Sequence, residues 1–404
     1  MDTRVFTLKN NIEVFYKSNK NTPRIALCMN IKINTPELTP GVEGLMARLL
    51  MQGTKTRTAE QLAEELDTYA IEFSTDAKAD YIRLKFVCLN EDFAKAVEIL
   101  EDIIKNSTFN DFEKELKKME GELIAELDSP RTKVYDNYYG KLFENHPYGT
   151  TSTKILANIN NITKENVLKT YNEFLNNSKK VIAVVGDIDI SEVETEIKNA
   201  FQNLPYSTDD SSKTQRPVLL ENIQEEIIKP DANQAHIVKG WLTETSSEED
   251  YPALLLLNII LGASGLSSRL FLELRDKKGL AYVVRSCYET FLQCADFYIY
   301  IATEPKNIEV SLKGFDEEIR KIQTIPVSEE ELENAKNNLL GKWAYTRETN
   351  NNQAILYAGY GILNLGFDFN NKTKEDIKRV TPDAIQKCAQ KYFSGKSVIS
   401  ILKP

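Results

Sequence analysis

G-V-E-G-L-M-A-R-L-L-M-Q-G-T-K-T-R-T, residues 41–58, is the stretch on which the reading of the chain turns. Leu45, Met46, Leu49 and Leu50 fall at helical spacing, which predicts a helix with one buried apolar stripe, closed by Gly53. A basic, threonine-rich turn follows. Thr58, with Gln61 three residues later, predicts the capping box of a second helix, A-E-Q-L-A-E-E-L-D-T-Y.

Outward from there, residues 4–33 read as strands: V-F-T-L, I-E-V-F-Y-K and R-I-A-L-C-M-N-I-K-I. Beyond the second helix come two more, I-E-F-S-T-D-A and Y-I-R-L-K-F-V-C-L, then a helix over Asn90–Ile104 with Phe93, Val97, Leu100 and Ile104 on one face. A long charged helix over Asp111–Leu127 stops near Asp128-Ser129-Pro130. N-H-P-Y-G (145–149) is a turn. A helix after Thr163, the strand K-V-I-A-V-V-G-D-I-D and a helix over Ser191–Phe201 complete this half. The polar, proline-bounded segment 204–217 reads as a linker, giving an N-terminal domain over 1–203 and a C-terminal domain over 218–404.

The second half repeats the first. T-K-E-N-V-L-K-T-Y-N-E-F-L before K-V-I-A-V-V is echoed by T-P-D-A-I-Q-K-C-A-Q-K-Y-F before S-V-I-S-I-L. Thr163 and Thr381 are 218 residues apart, as are Glu115 and Glu333. Q-A-H-I-V-K-G-W-L (234–242) and P-A-L-L-L-L-N-I-I-L-G (252–262) echo the third strand and the opening helix. The fold class is α+β, two duplicated domains, each a mostly antiparallel sheet packed with helices.

Composition narrows the function classes. A chain of 404 residues with 42% hydrophobic and 27% charged residues is an ordinary globular protein of about two domains. The net charge of −10 argues against a nucleic-acid partner. No apolar run reaches membrane-spanning length and the N-terminus has no signal pattern, so no membrane association and a cytoplasmic location are expected. Five cysteines, an odd number with no C-x-x-C, read as free thiols of a reducing compartment. There are only two histidines, His146 and His236. A helical zinc site of the H-x-x-E-H type needs two imidazoles one turn apart, so it cannot be assembled here.

Five features in order carry a resemblance: the duplicated halves, the G-T-x-x-R-T turn, H-P-Y-G (146–149), V-V-G-D-I-D (184–189) and G-L-S-S-R-L-F-L-E-L-R-D-K-K-G-L-A-Y (265–282). Together the chain resembles the insulinase/pitrilysin family of zinc peptidases, and within it the two-chain branch similar to mitochondrial processing peptidase. The resemblance implies half of a clamshell, closed by a homologous chain. In the family, the helix before the G-T-x-x-R-T turn carries H-x-x-E-H; the matching positions here are Gly44, Ala47 and Arg48, with Glu126 near the third-ligand position. No metal is therefore expected in this chain, and zinc is expected in an H-x-x-E-H partner. The family's substrate-holding Arg and Tyr, seven residues apart, match Arg275 and Tyr282. An Arg can clamp a carbonyl or a terminal carboxylate, and a Tyr hydroxyl can donate to an oxyanion.

The expected function is thus a non-catalytic subunit of a heterodimeric zinc endopeptidase. Its partners are an H-x-x-E-H subunit and a peptide or unfolded polypeptide; for the chain in isolation the sequence leaves both a monomer and a homodimer open. The alternative is a structural or peptide-binding scaffold of the same family; an autonomous peptidase with unusual ligands is the third reading. Arg48 reads either as a charge filling the vacated pocket, paired with Glu126, or as a solvated helix residue. His236 reads as a packed strand residue. G-A-S-G (262–265) follows a helix and lacks a lysine, so it does not read as a phosphate loop.

Overall fold

The computed structural model describes residues 3–33, 39–209 and 215–404. Of the predicted linker, residues 210–214 lie outside the described residues, and those flanking them belong to no helix or strand. The chain packs as two compact units. The first comprises Met1–Glu122, Lys154–Thr214 and Thr346–Phe369; the second comprises Leu123–Thr153, Gln215–Tyr345 and Asn370–Pro404.

The first unit holds β1 (Thr3–Thr7), β2 (Glu13–Ser18), β3 (Arg24–Lys32), β4 (Glu72–Ala77), β5 (Tyr81–Leu89) and β6 (Lys180–Gly186) in the order β1-β2-β6-β3-β5-β4. The second holds β7 (Ile223–Ile228), β8 (Ala235–Thr243), β9 (Ala281–Thr290), β10 (Ala295–Thr303) and β11 (Ser397–Lys403) in the order β7-β11-β8-β10-β9. Leaving out β1, the two orders are the same. Each sheet has one parallel pair, β2 with β6 and β7 with β11, and is otherwise antiparallel. The repeat seen in the sequence is a repeat of topology. Thr163 and Thr381, the markers of the repeat, each cap a helix through the side-chain oxygen.

Both central strands are largely buried on both faces. Along β3, Ile25, Leu27, Met29 and Ile31 point one way and Ala26 and Cys28 the other, all fully buried. The small residues receive the helix Asn350–Ile362, which places Ala354, Ala358 and Ile362 against Ala26, Cys28 and Ala183. The approach is close enough that a Cβ on Gly361 would lie 2.5 Å from the Val181 side chain. In the second unit the helix Pro130–Leu142 sets Val134, Tyr138 and Leu142 on Val238, Val398 and Leu402. There Gly240 makes room for Tyr138, whose hydroxyl would be 2.0 Å from an added Cβ.

These two helices cross over. Each sheet is covered on one face by a helix drawn from the other half of the sequence, so the units are not simply residues 1–203 and 218–404. Periodicity shows that a helix has an apolar face. It does not show which sheet takes that face.

Two expected helices are modified. The Val42–Leu49 helix ends at Leu50, and Gly53 (φ +101°) lies in the following turn. The expected 252–262 helix is α-helical over Tyr251–Asn258 and widens to a π-helix over Ile259–Ala263. Gly262 passes close against β9, and a Cβ there would sit 2.1 Å from the Ser286 backbone nitrogen. All five cysteines are free. Among the described residues no helix is long and apolar enough to cross a membrane.

Candidate functional site

The helix Val42–Leu49 buries Val42, Leu45, Met46, Ala47 and Leu49. Ala47 is buried, and its carbonyl accepts a hydrogen bond from the Thr75 hydroxyl of β4 at 2.6 Å. Gly44 opens onto free space, with nothing within 4 Å of an added Cβ. Arg48 is half-exposed and forms an ion pair with Glu122 at 2.5 Å, which draws the Glu122 carboxyl below its ordinary range. This corrects the expected pairing with Glu126. Glu122 and Glu126 are one turn apart on the helix Phe112–Asp128, and Arg48 reaches the earlier of the two, leaving Glu126 exposed. Glycine and alanine offer no donor and a guanidinium is a fixed cation, so these positions do not fit a zinc ion. Among the described residues no group of three or more His, Cys, Asp or Glu is placed to hold a metal.

The G-T-x-x-R-T turn is a structural knot. Asp102, on the helix Phe93–Asn106, accepts hydrogen bonds from Thr54, Thr56 and Arg57, each at 2.7 Å, and from Asn106 at 2.8 Å. Arg57 also reaches Glu98 (2.6 Å) and Glu65 (3.1 Å). Burial raises the Asp102 carboxyl, but the donors around it outweigh that and hold it below the usual range. The turn therefore fastens the end of one helix to another, whatever occupies the metal positions.

Arg275 and Tyr282 are brought together in the second unit. Arg275 lies on a short π-helix, Phe271–Lys277, whose wide turn is seen in the Lys278 N–H bonding to the Glu273 carbonyl. Gly279 (φ +62°) then turns the chain into β9. In the ladder, Ala302 pairs with Val283 and Thr303 with Ala281, so Tyr282 is the extra residue of a β-bulge. The bulge pushes its side chain out to 77% exposure. The Arg275 guanidinium lies over two rings, 4.6 Å from the centroid of Phe271 and 4.7 Å from that of Tyr282.

The neighbouring cations are neutralised. Arg269 makes a two-pronged pair with Glu331 (2.7 and 2.6 Å), Lys277 pairs with Glu273, and Lys278 with Glu317 at 2.9 Å. Among the described residues, Arg275 has no carboxylate partner. Phe271 is the member of this site that sequence reading missed. Its position four residues before Arg275 was the available signal, since that spacing puts two side chains on one helical face.

The histidines stay structural. His146 accepts from the Tyr148 N–H and meets the Gln215 carbonyl at 3.0 Å; His236 contacts the Tyr300 hydroxyl at 2.9 Å. Burial lowers both imidazole pKa values. Gly262 is explained by its approach to Ser286, which leaves the G-A-S-G segment no need of a phosphate.

Comparison with known proteins agrees with this geometry. Residues 14–154 match the insulinase (peptidase family M16) sequence family, and residues 161–339 match the peptidase M16 inactive domain. An uncharacterized zinc protease of Rickettsia felis is 28% identical, covering 98% of this chain and 96% of its own length. One from Bacillus subtilis, YmxG, is 23% identical over 99% and 98%. A protease from Helicobacter pylori has the same fold, with a TM-score of 0.91, 20% identity and complete coverage of both chains. So does a peptidase M16 inactive domain from Pseudomonas fluorescens, at TM-score 0.88 and 21% identity over 100% of this chain and 98% of that one. With the helix, the turn and the duplicated sheets in place and no ligand at residues 44, 47 and 48, the chain belongs to the insulinase family of peptidases and lacks that family's catalytic motif.

Proposed function

We propose that this chain is the non-catalytic, substrate-holding subunit of a two-chain zinc endopeptidase. The observation that carries the reading is Arg275: a guanidinium lying over two rings with no carboxylate partner among the described residues, beside an exposed tyrosine. A homologous chain bearing H-x-x-E-H would supply the zinc and its bound hydroxide. This chain's part is to bind and orient. Arg275 holds a carbonyl or carboxylate of the peptide through in-plane N–H groups, and the Tyr282 hydroxyl donates to the oxyanion that forms at the attacked carbonyl.

The test is peptidase activity and zinc content of this chain alone and mixed with an H-x-x-E-H homologue from the same source. Activity confined to the mixture, lowered roughly 10²-fold by Arg275→Ala or Tyr282→Phe as for loss of one oxyanion donor, is the expected result. Full activity of the mixture with either variant overturns the assignment. Inertness of every mixture favours the scaffold alternative.

A further inference from the structure

We infer that Arg131 and Arg285, gathered around Tyr300 in the second unit, form a binding site for a phosphate-type oxyanion. The site uses none of the residues assigned to peptide holding and does not depend on that role.

The site lies where the first turn of the helix Pro130–Leu142 meets β8, β9 and β10. Arg285 stands opposite Tyr300 in the β9–β10 ladder. The guanidinium carbons of Arg131 and Arg285 are 5.5 and 5.7 Å from the centre of the Tyr300 ring, and the Tyr135 ring is stacked on the same tyrosine at 5.3 Å. Arg131 is exposed and Arg285 half-buried, so the cluster is open to solvent from the helix side. The Tyr300 hydroxyl is occupied by His236 Nδ1 at 2.9 Å, which makes this ring a platform for the two cations. Arg285 donates one Nη–H to the Tyr135 hydroxyl at 3.2 Å, while its Nε–H is buried with no acceptor among the described residues. A buried N–H without an acceptor is rare in a folded protein and points to a ligand or water that supplies one.

Charge decides which. Among the described residues neither Arg131 nor Arg285 has a carboxylate partner. Asp128, three residues before Arg131, pairs with Lys229 at 3.1 Å, as does Asp231 at 2.8 Å. Glu289, on the same face of β9 as Arg285, accepts instead from Tyr139 and Tyr298. Two unrelieved cations on one ring repel each other, and the helix adds to this. Its first turn carries no acidic residue, and Arg131 sits there against the positive end of the helix dipole. Each of these features opposes stability in the unliganded chain and turns favourable beside an anion. Water would satisfy the Nε–H and leave the charges. A carboxylate balances one of them, whereas a phosphate group brings nearly two charges and three acceptor oxygens to two guanidinium forks.

His236 reports on the site. Burial lowers its pKa and the Arg131 charge lowers it further. The only other histidine, His146, follows the opposite end of the helix, roughly 20 Å away along its axis, and serves as the control. The full chain, with its histidines isotope-labelled, is titrated by NMR with inorganic phosphate, methyl phosphate and acetate at matched ionic strength. Phosphate is expected to raise the His236 pKa by offsetting the Arg131 charge, to leave His146 unmoved, and to saturate at about 1 mM or below. Arg131→Gln, at an exposed position, should weaken binding about tenfold or more, as for a hydrogen bond to a charged group, without lowering the unfolding midpoint of the unliganded chain. Arg285→Lys, which keeps the charge but loses the fork, should retain part of the affinity that Arg285→Gln loses.

Tighter binding of methyl phosphate than of inorganic phosphate assigns the site to a phosphate ester of a small molecule; the reverse order assigns it to the free ion. Acetate binding as tightly as phosphate overturns the phosphate class. A His236 pKa indifferent to phosphate, or a shift that survives both Arg131→Gln and Arg285→Gln, overturns the site, and either failure leaves the peptide-holding role of Arg275 and Tyr282 standing.

Discussion

Replacing Asp102 by alanine tests whether the G-T-x-x-R-T turn is a structural knot. The carboxylate is 7% exposed and accepts from Thr54, Thr56, Arg57 and Asn106. Removing one partner of a buried, hydrogen-bonded ion pair costs roughly 3–5 kcal/mol. Arg57 would keep Glu65 and Glu98, so the lower end, about 3 kcal/mol, is expected. For a unit of this size that lowers the Tm by about 6–12 °C. Asp102→Asn preserves shape and one acceptor and should cost about 1–2 kcal/mol, the order of one stranded polar group. The sign with pH follows from the depressed Asp102 pKa. A depressed folded value gives stability that is present above the unfolded carboxylate value, about 3.9, and lost as pH falls through the folded one. The gap between wild type and Asp102→Asn should therefore close below about pH 4. Urea unfolding followed by circular dichroism at pH 7 and at pH 3 measures both effects. An Asp102→Ala variant within about 1 kcal/mol of wild type, on the order of a surface pair, would refute the knot, as would an Asn gap that does not change with pH.

Two further outcomes follow from the second unit. Gly262→Ala puts a Cβ 2.1 Å from the Ser286 nitrogen and should cost about 3 kcal/mol by overpacking, whereas Gly265→Ala, in open space at φ +79°, should cost about 1 kcal/mol; equal costs in denaturant would show that the close approach is not what sets Gly262. Asp296 is fully buried, accepts a long 3.4 Å hydrogen bond from Tyr138 on Oδ2 while its Oδ1 has no hydrogen-bond partner among the described residues, and faces Glu289 across the ladder. Burial and that neighbouring charge raise its pKa well above the carboxylate range. A raised acid contributes its stability below the unfolded pKa and loses it progressively as pH rises toward the folded value. Asp296→Asn should thus be more stable than wild type by a margin that widens as pH rises above the unfolded carboxylate value of about 3.9, and a constant margin in thermal melts would contradict the assignment.

The residues announced the fold more fully than the site. Local signals held because they are local: Thr58 and Gln61 form the capping box, Thr163 and Thr381 cap their helices, and the apolar run R-I-A-L-C-M-N-I-K yields a strand buried on both faces. What required coordinates was long-range or irregular. The exchanged helices Pro130–Leu142 and Asn350–Ile362 have apolar faces that fit either sheet by composition. The choice of Glu122 over Glu126 for Arg48 depends on a one-turn offset between two helices. The π turns and the bulge at Tyr282 have no pattern in hydropathy, since each inserts a residue into a period the sequence otherwise keeps.

The two units differ in how regular their backbone is around the positions that the family resemblance singles out. In the first unit the vacated helix is ordinary. Its buried stripe is Leu45, Met46 and Leu49, Gly44 faces open space, and Arg48–Glu122 is a half-exposed pair contributing at most about 1 kcal/mol. Nothing there is arranged at the expense of stability. In the second unit a π-helical turn carries Phe271 and Arg275, a left-handed glycine reverses the chain, and a bulge ejects Tyr282, all within Phe271–Tyr282. Each departure gives up regular hydrogen bonding or exposes an apolar ring to water, and all of them converge on one guanidinium left without a carboxylate among the described residues. The π-helix still buries Leu274 in the core against Gly314, so packing accounts for part of the irregularity, while the exposed Tyr282 and the guanidinium without a carboxylate among the described residues are what the proposed substrate-holding role would use.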